Sequence, residues 1–127
     1  MIAHFPSTKG LIQVAVEIEG PSGVKTALLA LDTGATKTLV NEHILRQIGY
    51  SAGHAVKRGP MSSASGVIQV PYFPVSRISA LGIDRMNFEV ICHTLPSSTS
   101  VDGLLGVDFL RGLELRIDFR NGVIDLQ

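Results

Sequence analysis

One carboxylate in this chain stands where burial would make it costly. Asp32 follows the apolar run Ala27-Leu28-Leu29-Ala30-Leu31 and precedes Thr33 and Gly34. The run reads as a buried strand, and a lone charge at its end is expensive unless it is neutralised or well partnered. Gly34 lets the chain turn sharply where a Cβ would clash. Thr33 brings a hydroxyl that can hold neighbouring backbone. Asp, Thr and Gly are also ordinary turn formers; the apolar strand before them is what favours a carboxylate held rigidly in a desolvated site.

Other chemistries are poorly supplied. His4, His43, His54 and His93 are scattered without metal-ligand spacing, and with a single cysteine no structural zinc set is expected. Gly103 to Gly106 is not followed by the Lys-Ser/Thr of a phosphate loop. Ser62, Ser63 and Ser65 have no neighbouring base, and no Gly-x-Ser-x-Gly occurs. Cys92, in Phe88-Glu89-Val90-Ile91-Cys92, reads as an inert buried strand thiol.

Leu31-Asp32-Thr33-Gly34-Ala35, taken with the later Val101-Asp102-Gly103-Leu104-Leu105-Gly106-Val107-Asp108-Phe109-Leu110, resembles the paired motifs of aspartic proteases. The likeness is to the single-domain retropepsin-like group, and to its cellular and bacterial members more than its retroviral ones. It runs from about Leu11 to Leu126. It implies an all-β closed barrel with one or two short helices, one domain over residues 1–127, and an aspartic endopeptidase. Leu104-Leu105-Gly106 would be the hydrophobic-hydrophobic-Gly element beneath the catalytic loop. In such enzymes two carboxylates about 3 Å apart share one proton. The charged one acts as general base on water and the neutral one as general acid. This chain supplies one Asp-Thr-Gly, so the resemblance implies a homodimer with two copies of Asp32 on the two-fold axis. Asp32 would be catalytic, and Thr33, Gly34, Leu105 and Gly106 would support its loop, Thr33 through hydrogen bonds across the dimer axis. Ala35 and Thr36 below, and Ser63, Ala64, Ser65 and Gly66 above, would contact an extended peptide lying as an added strand. No cofactor or metal is implied. The alternative is a non-catalytic dimerisation or peptide-binding module on the same fold.

The likeness has gaps. Retroviral members carry acidic residues just after Asp-Thr-Gly, one of them paired with an arginine in the late helix. Thr36-Lys37 and Val107 stand there in this chain, so both ends of that ion pair are missing together. Asp102 lacks a following Thr-Gly and belongs to the structural loop, as a turn or cap. Asp108, Asp118 and Asp125 read as surface charges or caps.

The elements that must position these residues follow from periodicity. Ile12, Val14, Val16 and Ile18 share one strand face. Gly20-Pro21-Ser22-Gly23 turns the chain back through Val24 to Leu31. Thr38-Leu39-Val40 reads as a short strand, and Asn41 as the cap of a helix from Glu42 to Ile48 with Ile44, Leu45 and Ile48 inward and Gly49 as its stop. Two extended arms, Ala55 to Pro60 and Val67 to Ile78, flank the small-residue tip Met61-Ser62-Ser63-Ala64-Ser65-Gly66. The tip fits a mobile loop as well as a flap; the resemblance selects the flap, which must bend over substrate. Pro71 and Pro74 predict an edge or irregular arm. Arg77 to Leu81 and Met86 to His93 form a further pair about Gly82 to Arg85. Leu95 to Ser100 reads as a loop. A short helix, Val107 to Arg111, ends at Gly112, and Asn121-Gly122 turns the final hairpin.

Composition limits the partners. The 127 residues are 45% hydrophobic and 17% charged with a formal net charge of zero, which gives no electrostatic case for nucleic acid or an anionic membrane. So apolar a chain fits one with an additional surface to bury, such as a dimer interface. No apolar run reaches membrane-spanning length, and Met1-Ile2-Ala3-His4-Phe5-Pro6 lacks the regions of a signal peptide. The expectation is a cytoplasmic protein.

Overall fold

The computed structural model describes residues 1–8, 10–63 and 65–127. Inward alternation in β2 (Gln13–Gly20) buries Val14, Val16 and Ile18, as the pattern requires. Gly20 pairs with Gly23, so Pro21-Ser22 is a two-residue turn, and β3 (Gly23–Leu31) returns antiparallel. Ala27, Leu29 and Ala30 of β3 are buried, but Leu28 is 43% exposed. The run before Asp32 is therefore buried on one face rather than throughout.

The remaining strands are β1 (Ile2–His4), β4 (Leu39–Val40), β5 (Lys57–Ser63), β6 (Gly66–Ala80), β7 (Ile83–Cys92), β8 (Gly103–Leu105), β9 (Leu115–Asp118) and β10 (Val123–Leu126). Two short helices, α1 (Glu42–Gln47) and α2 (Val107–Leu110), and a 3-10 turn at Ala52–His54 complete the fold. The large sheet runs β2-β3-β8-β4-β7-β6-β5, and β2 also pairs with β6. That last pairing closes six strands into a barrel and leaves β5 outside it. β1, β10 and β9 form a separate three-stranded sheet in that order. One apolar core spans the barrel interior, the inner faces of both helices, and Ile124 and Leu126 of the small sheet. No helix among the described residues is long and apolar enough to cross a membrane.

Several local expectations change. Asn41 is buried, and its side chain does not cap α1; Oδ1 accepts the N–H of Leu95 at 3.1 Å instead. The β5–β6 arms reach Ser63 and Gly66, which pair, so Met61, Ser62 and Ser63 belong to a strand. The β6–β7 turn is Leu81-Gly82, with φ +53° and +79°. Both central residues of a type I′ turn take positive φ, a turn that suits the twist of a hairpin. The last hairpin turns over four residues, 119–122, because Asp118 pairs with Val123. Asp118 caps that turn by accepting the N–H groups of Arg120 and Asn121 and an Nδ2–H of Asn121. These bonds hold its carboxyl below its usual range.

β6 is interior in the strand order, yet each proline lies where it pairs with one neighbour, Pro71 with Arg58 of β5 and Pro74 with Glu89 of β7. Proline lacks an N–H to donate, so one-sided stretches are where it is tolerated. Cys92 is buried, which pushes its thiol up, with a further rise from Glu42.

Leu29 and Leu28 are neighbours with opposite fates, and mutation should separate them. Leu29→Ala is expected to cost about 2–5 kcal/mol, and Leu28→Ala no more than about 0.5 kcal/mol, in urea unfolding at fixed protein concentration. Equal losses would contradict the facing of β3.

Candidate active site

The loop that carries Asp32 bridges two strands that do not touch each other. β3 pairs in parallel with β8, and β8 pairs on its other side, antiparallel, with β4. The chain leaving β3 must therefore cross the end of β8 before it returns as β4. Glycine makes the crossing possible. A Cβ on Gly103 would collide with the carbonyl of Leu39, and one on Gly106 would come within 2.7 Å of the carbonyl of Ala35.

Hydrogen bonds then fix the loop. The N–H of Asp32 donates to the Leu105 carbonyl at 3.0 Å, and the N–H of Val107 to the Ala35 carbonyl at 2.9 Å. Within the loop, Ala35 N–H reaches the Asp32 carbonyl at 3.2 Å. Gly34 N–H donates to Oδ1 of Asp32 at 2.9 Å, which orients the carboxylate. Leu105 is fully buried below. Asp32 itself is half-buried, and Thr33 and Gly34 are exposed. The desolvated carboxylate expected from the sequence is thus not achieved by one chain alone.

Thr38 is the buried polar residue beneath this loop, at 0% exposure. Its hydroxyl accepts from Gly106 N–H at 3.1 Å and donates to Oδ1 of Asp108 at 2.7 Å, while its N–H donates to Oδ2 of Asp108 at 3.0 Å. Asp108 is therefore not a surface charge. It joins the segment after Asp-Thr-Gly to α2, the two places left without an ion pair by Thr36-Lys37 and Val107. Sequence reasoning missed this pair; the signal available was an Asp in the first turn of a short helix two residues after the Gly of Leu-Leu-Gly. Asp102 is structural as well: its carboxylate accepts Leu28 N–H at 3.0 Å, and its own N–H donates to the Leu28 carbonyl at 2.7 Å.

Above the loop lies a cleft of about 870 Å³. Asp32, Gly34, Ala35, Thr36 and Lys37 line its floor, and Pro60, Met61, Ser62, Ser65 and Val67 of the β5–β6 hairpin line the other side. His93, Leu95 and Pro96 close one end. Of the sequence-predicted contact residues, Ala35, Thr36 and Ser65 meet in this cleft. Ser63 pairs through its backbone with Gly66 at the hairpin end; Ala64 lies outside the described residues. Leu95 and Lys37 were missed. Leu95 is there because Asn41 holds its N–H.

One cluster joins floor to hairpin. Lys37 and Lys57 both pair with Oε1 of Glu89, at 3.0 and 3.5 Å. Both ammonium groups also lie over the Tyr72 ring, 5.6 and 5.3 Å from its centroid. Burial alone would raise the Glu89 carboxyl, but the Lys37 hydrogen bond and charge, followed by those of Lys57, hold it below its usual value.

The motifs and the closed barrel converge on one group of proteins. A family model described as gag-polyprotein putative aspartyl protease matches residues 14–112. The chain belongs to this family of retropepsin-like aspartic proteases. Its fold is similar to the crystal structure of a retropepsin-like aspartic protease from Rickettsia conorii, with a TM-score of 0.73 and 16% identity over 99% of this chain and 88% of that one. At that identity the likeness speaks for the retropepsin-like fold. No curated protein matches the chain.

Two outcomes test this account. Thr38→Val, nearly isosteric, leaves Gly106 N–H and Asp108 short of a partner, and a loss of about 1–3 kcal/mol is expected in denaturant unfolding. A neutral result would remove Thr38 from the support of the loop. A carboxyl held below its unfolded value stabilises the fold above that value, and the contribution disappears as pH falls through the folded one. The unfolded reference for Glu89 is 4.5. Melting temperature should therefore fall less steeply in Glu89→Gln than in the parent as pH drops below 4.5; parallel curves would contradict the depressed carboxyl.

Proposed function

We propose that this chain is an aspartic endopeptidase, one domain over residues 1–127, active as a homodimer. The observation that carries this reading is the position of Asp32: an oriented carboxylate on the floor of a cleft, beside exposed Thr33 and Gly34. A single carboxylate cannot serve as general base and general acid at once. Two copies meeting on a two-fold axis share one proton and divide those roles. The exposed Thr33 and Gly34 are the surface a second copy would cover, and Thr33 would brace the paired loops through its hydroxyl. Covering them also supplies the desolvation that one chain lacks.

In this reading the charged member of the pair removes a proton from water, which attacks the peptide carbonyl, and the neutral member protonates the carbonyl oxygen. On collapse the protonated carboxyl gives its proton to the amide nitrogen, the other carboxylate takes one from a gem-diol hydroxyl, the C–N bond breaks, and the pair is left with its one shared proton. Leu105 and Gly106 hold the loop from below through the bonds already described. The β5–β6 hairpin serves as the flap, with Ser63, Ala64, Ser65 and Gly66 at its tip. An extended peptide lies between the flap and Ala35 and Thr36, adding main-chain hydrogen bonds as a strand. One shared proton predicts activity in an acidic or mildly acidic window.

The test is cleavage of a mixed peptide library from acidic to neutral pH, with sedimentation equilibrium on the same samples. Asp32→Asn is expected to lower cleavage by at least about 10³-fold while it leaves the fold and the dimer intact. Cleavage by a strict monomer, or by Asp32→Asn at parental rate, would sink the dyad. A stable dimer that binds peptides and cleaves none would establish the binding-module alternative.

A further inference from the structure

Asp32 is the only carboxylate that lines the cleft among the described residues; the other groups that carry or acquire charge there are Lys37, Tyr72 and His93. Away from Asp32, the fixed charge on the floor of the cleft is therefore the Lys37 ammonium. Behind Lys37, two ammonium groups share a single carboxylate oxygen of Glu89. One positive charge in that cluster is left uncompensated. Each ammonium has three donors, so the bond to Glu89 leaves donors that can face a ligand. The side chains of Lys37 and Lys57 are 37% and 57% exposed.

The cluster is also fixed in place. Tyr72 lies against both lysines, and its hydroxyl donates to the Pro60 carbonyl at 2.8 Å. Gly59 packs flat on the ring, where a Cβ would come within 2.7 Å of Cζ. Lys37 thus starts from a restrained position, which lowers the entropy lost when it meets a ligand. A peptide laid across the cleft would exclude water from the wall and strengthen its charge.

We propose that the Lys37–Lys57 wall around Tyr72 and Glu89 selects peptides that carry an acidic side chain at one fixed position from the scissile bond. This rests on the peptidase reading above and extends it to a substrate class. In a homodimer the wall recurs by symmetry, so the preference occurs at two positions, one on each side of the cleaved bond. Lys37 acts as a specificity residue: its ammonium meets the substrate carboxylate in a charge-assisted hydrogen bond, and loss of Lys37 leaves Lys57 and Glu89 as a neutral pair.

The experiment uses matched peptides in which Glu replaces Gln at one position at a time along an extended sequence. For the parent protein, the Glu/Gln ratio of kcat/KM is expected to be about tenfold at the selected positions, and to shrink as salt is raised. Lys37→Met should bring the ratio to about one, and Lys37→Arg should keep it. In parallel, the same peptides are titrated against Asp32→Asn by fluorescence anisotropy, so charge selection is read from binding without turnover. Cleavage with no Glu preference at any position, or a preference that survives Lys37→Met, overturns the proposal. Binding that favours Glu without any cleavage by the parent overturns the peptidase reading and upholds charge selection. Absence of both cleavage and binding overturns both.

Discussion

A hydroxyl with no exposure to solvent must find its partners inside the protein, and Thr38 finds both in the segment that begins at Gly106. It accepts from Gly106 N–H and donates to Asp108. An unsatisfied group at such a depth would cost about 1–3 kcal/mol, so the three residues hold one another in a single arrangement. The rest of the site inherits that arrangement. Leu105 and Val107, on either side of Gly106, carry the backbone bonds that fix Asp32 and Ala35. The carboxylate is then oriented from within its own loop by Gly34 N–H.

The barrel makes these bonds possible by bringing β8 between β3 and β4. Without the parallel β3–β8 pairing, Leu105 would not lie under Asp32; without Gly103 and Gly106, the crossing loop would not fit over β8. The same sheet continues through β7 and β6 to the hairpin that faces Asp32 across the cleft. Floor and roof are thus two parts of one hydrogen-bonded sheet, and the Lys37–Glu89–Lys57 cluster is a second, electrostatic link between them.

Much of this was legible in the sequence because it rests on period and on turn chemistry. The inward face of β2 and the buried side of α1 and its C-cap at Ile44, Leu45 and Ile48 follow from local pattern, whereas the element at Leu104-Leu105-Gly106 was legible through the family resemblance. What stayed hidden depends on residues far apart in sequence. Asp108 looks like any helix-end acid until the fold sets Thr38 beside it, and Asn41 looks like a cap until Leu95 arrives from 54 residues away. Lys37 stood out in the sequence only as a departure from the acidic residues of retroviral members; its partners Glu89 and Tyr72 lie on β7 and β6. Turn residues misled where a stronger local choice existed. Asn121-Gly122 suits a two-residue turn, but Asp118 captures the N–H groups of Arg120 and Asn121 and widens it to four.

The prolines of β6 have a mechanical consequence. A strand gripped on both sides bends only by breaking two ladders, whereas Pro71 and Pro74 sit where β6 is gripped on one side. Beyond Pro71 the strand runs about 16 Å to its end at a rise of about 3.3 Å per residue. The hairpin is a cantilever: its root, Arg77 to Ser79, is clamped between β7 and β2, and its compliance lies at the two prolines. Bending of the tip therefore falls first on these one-sided stretches, and the floor that holds Asp32 stands on β3 and β8, which pair with neither of them.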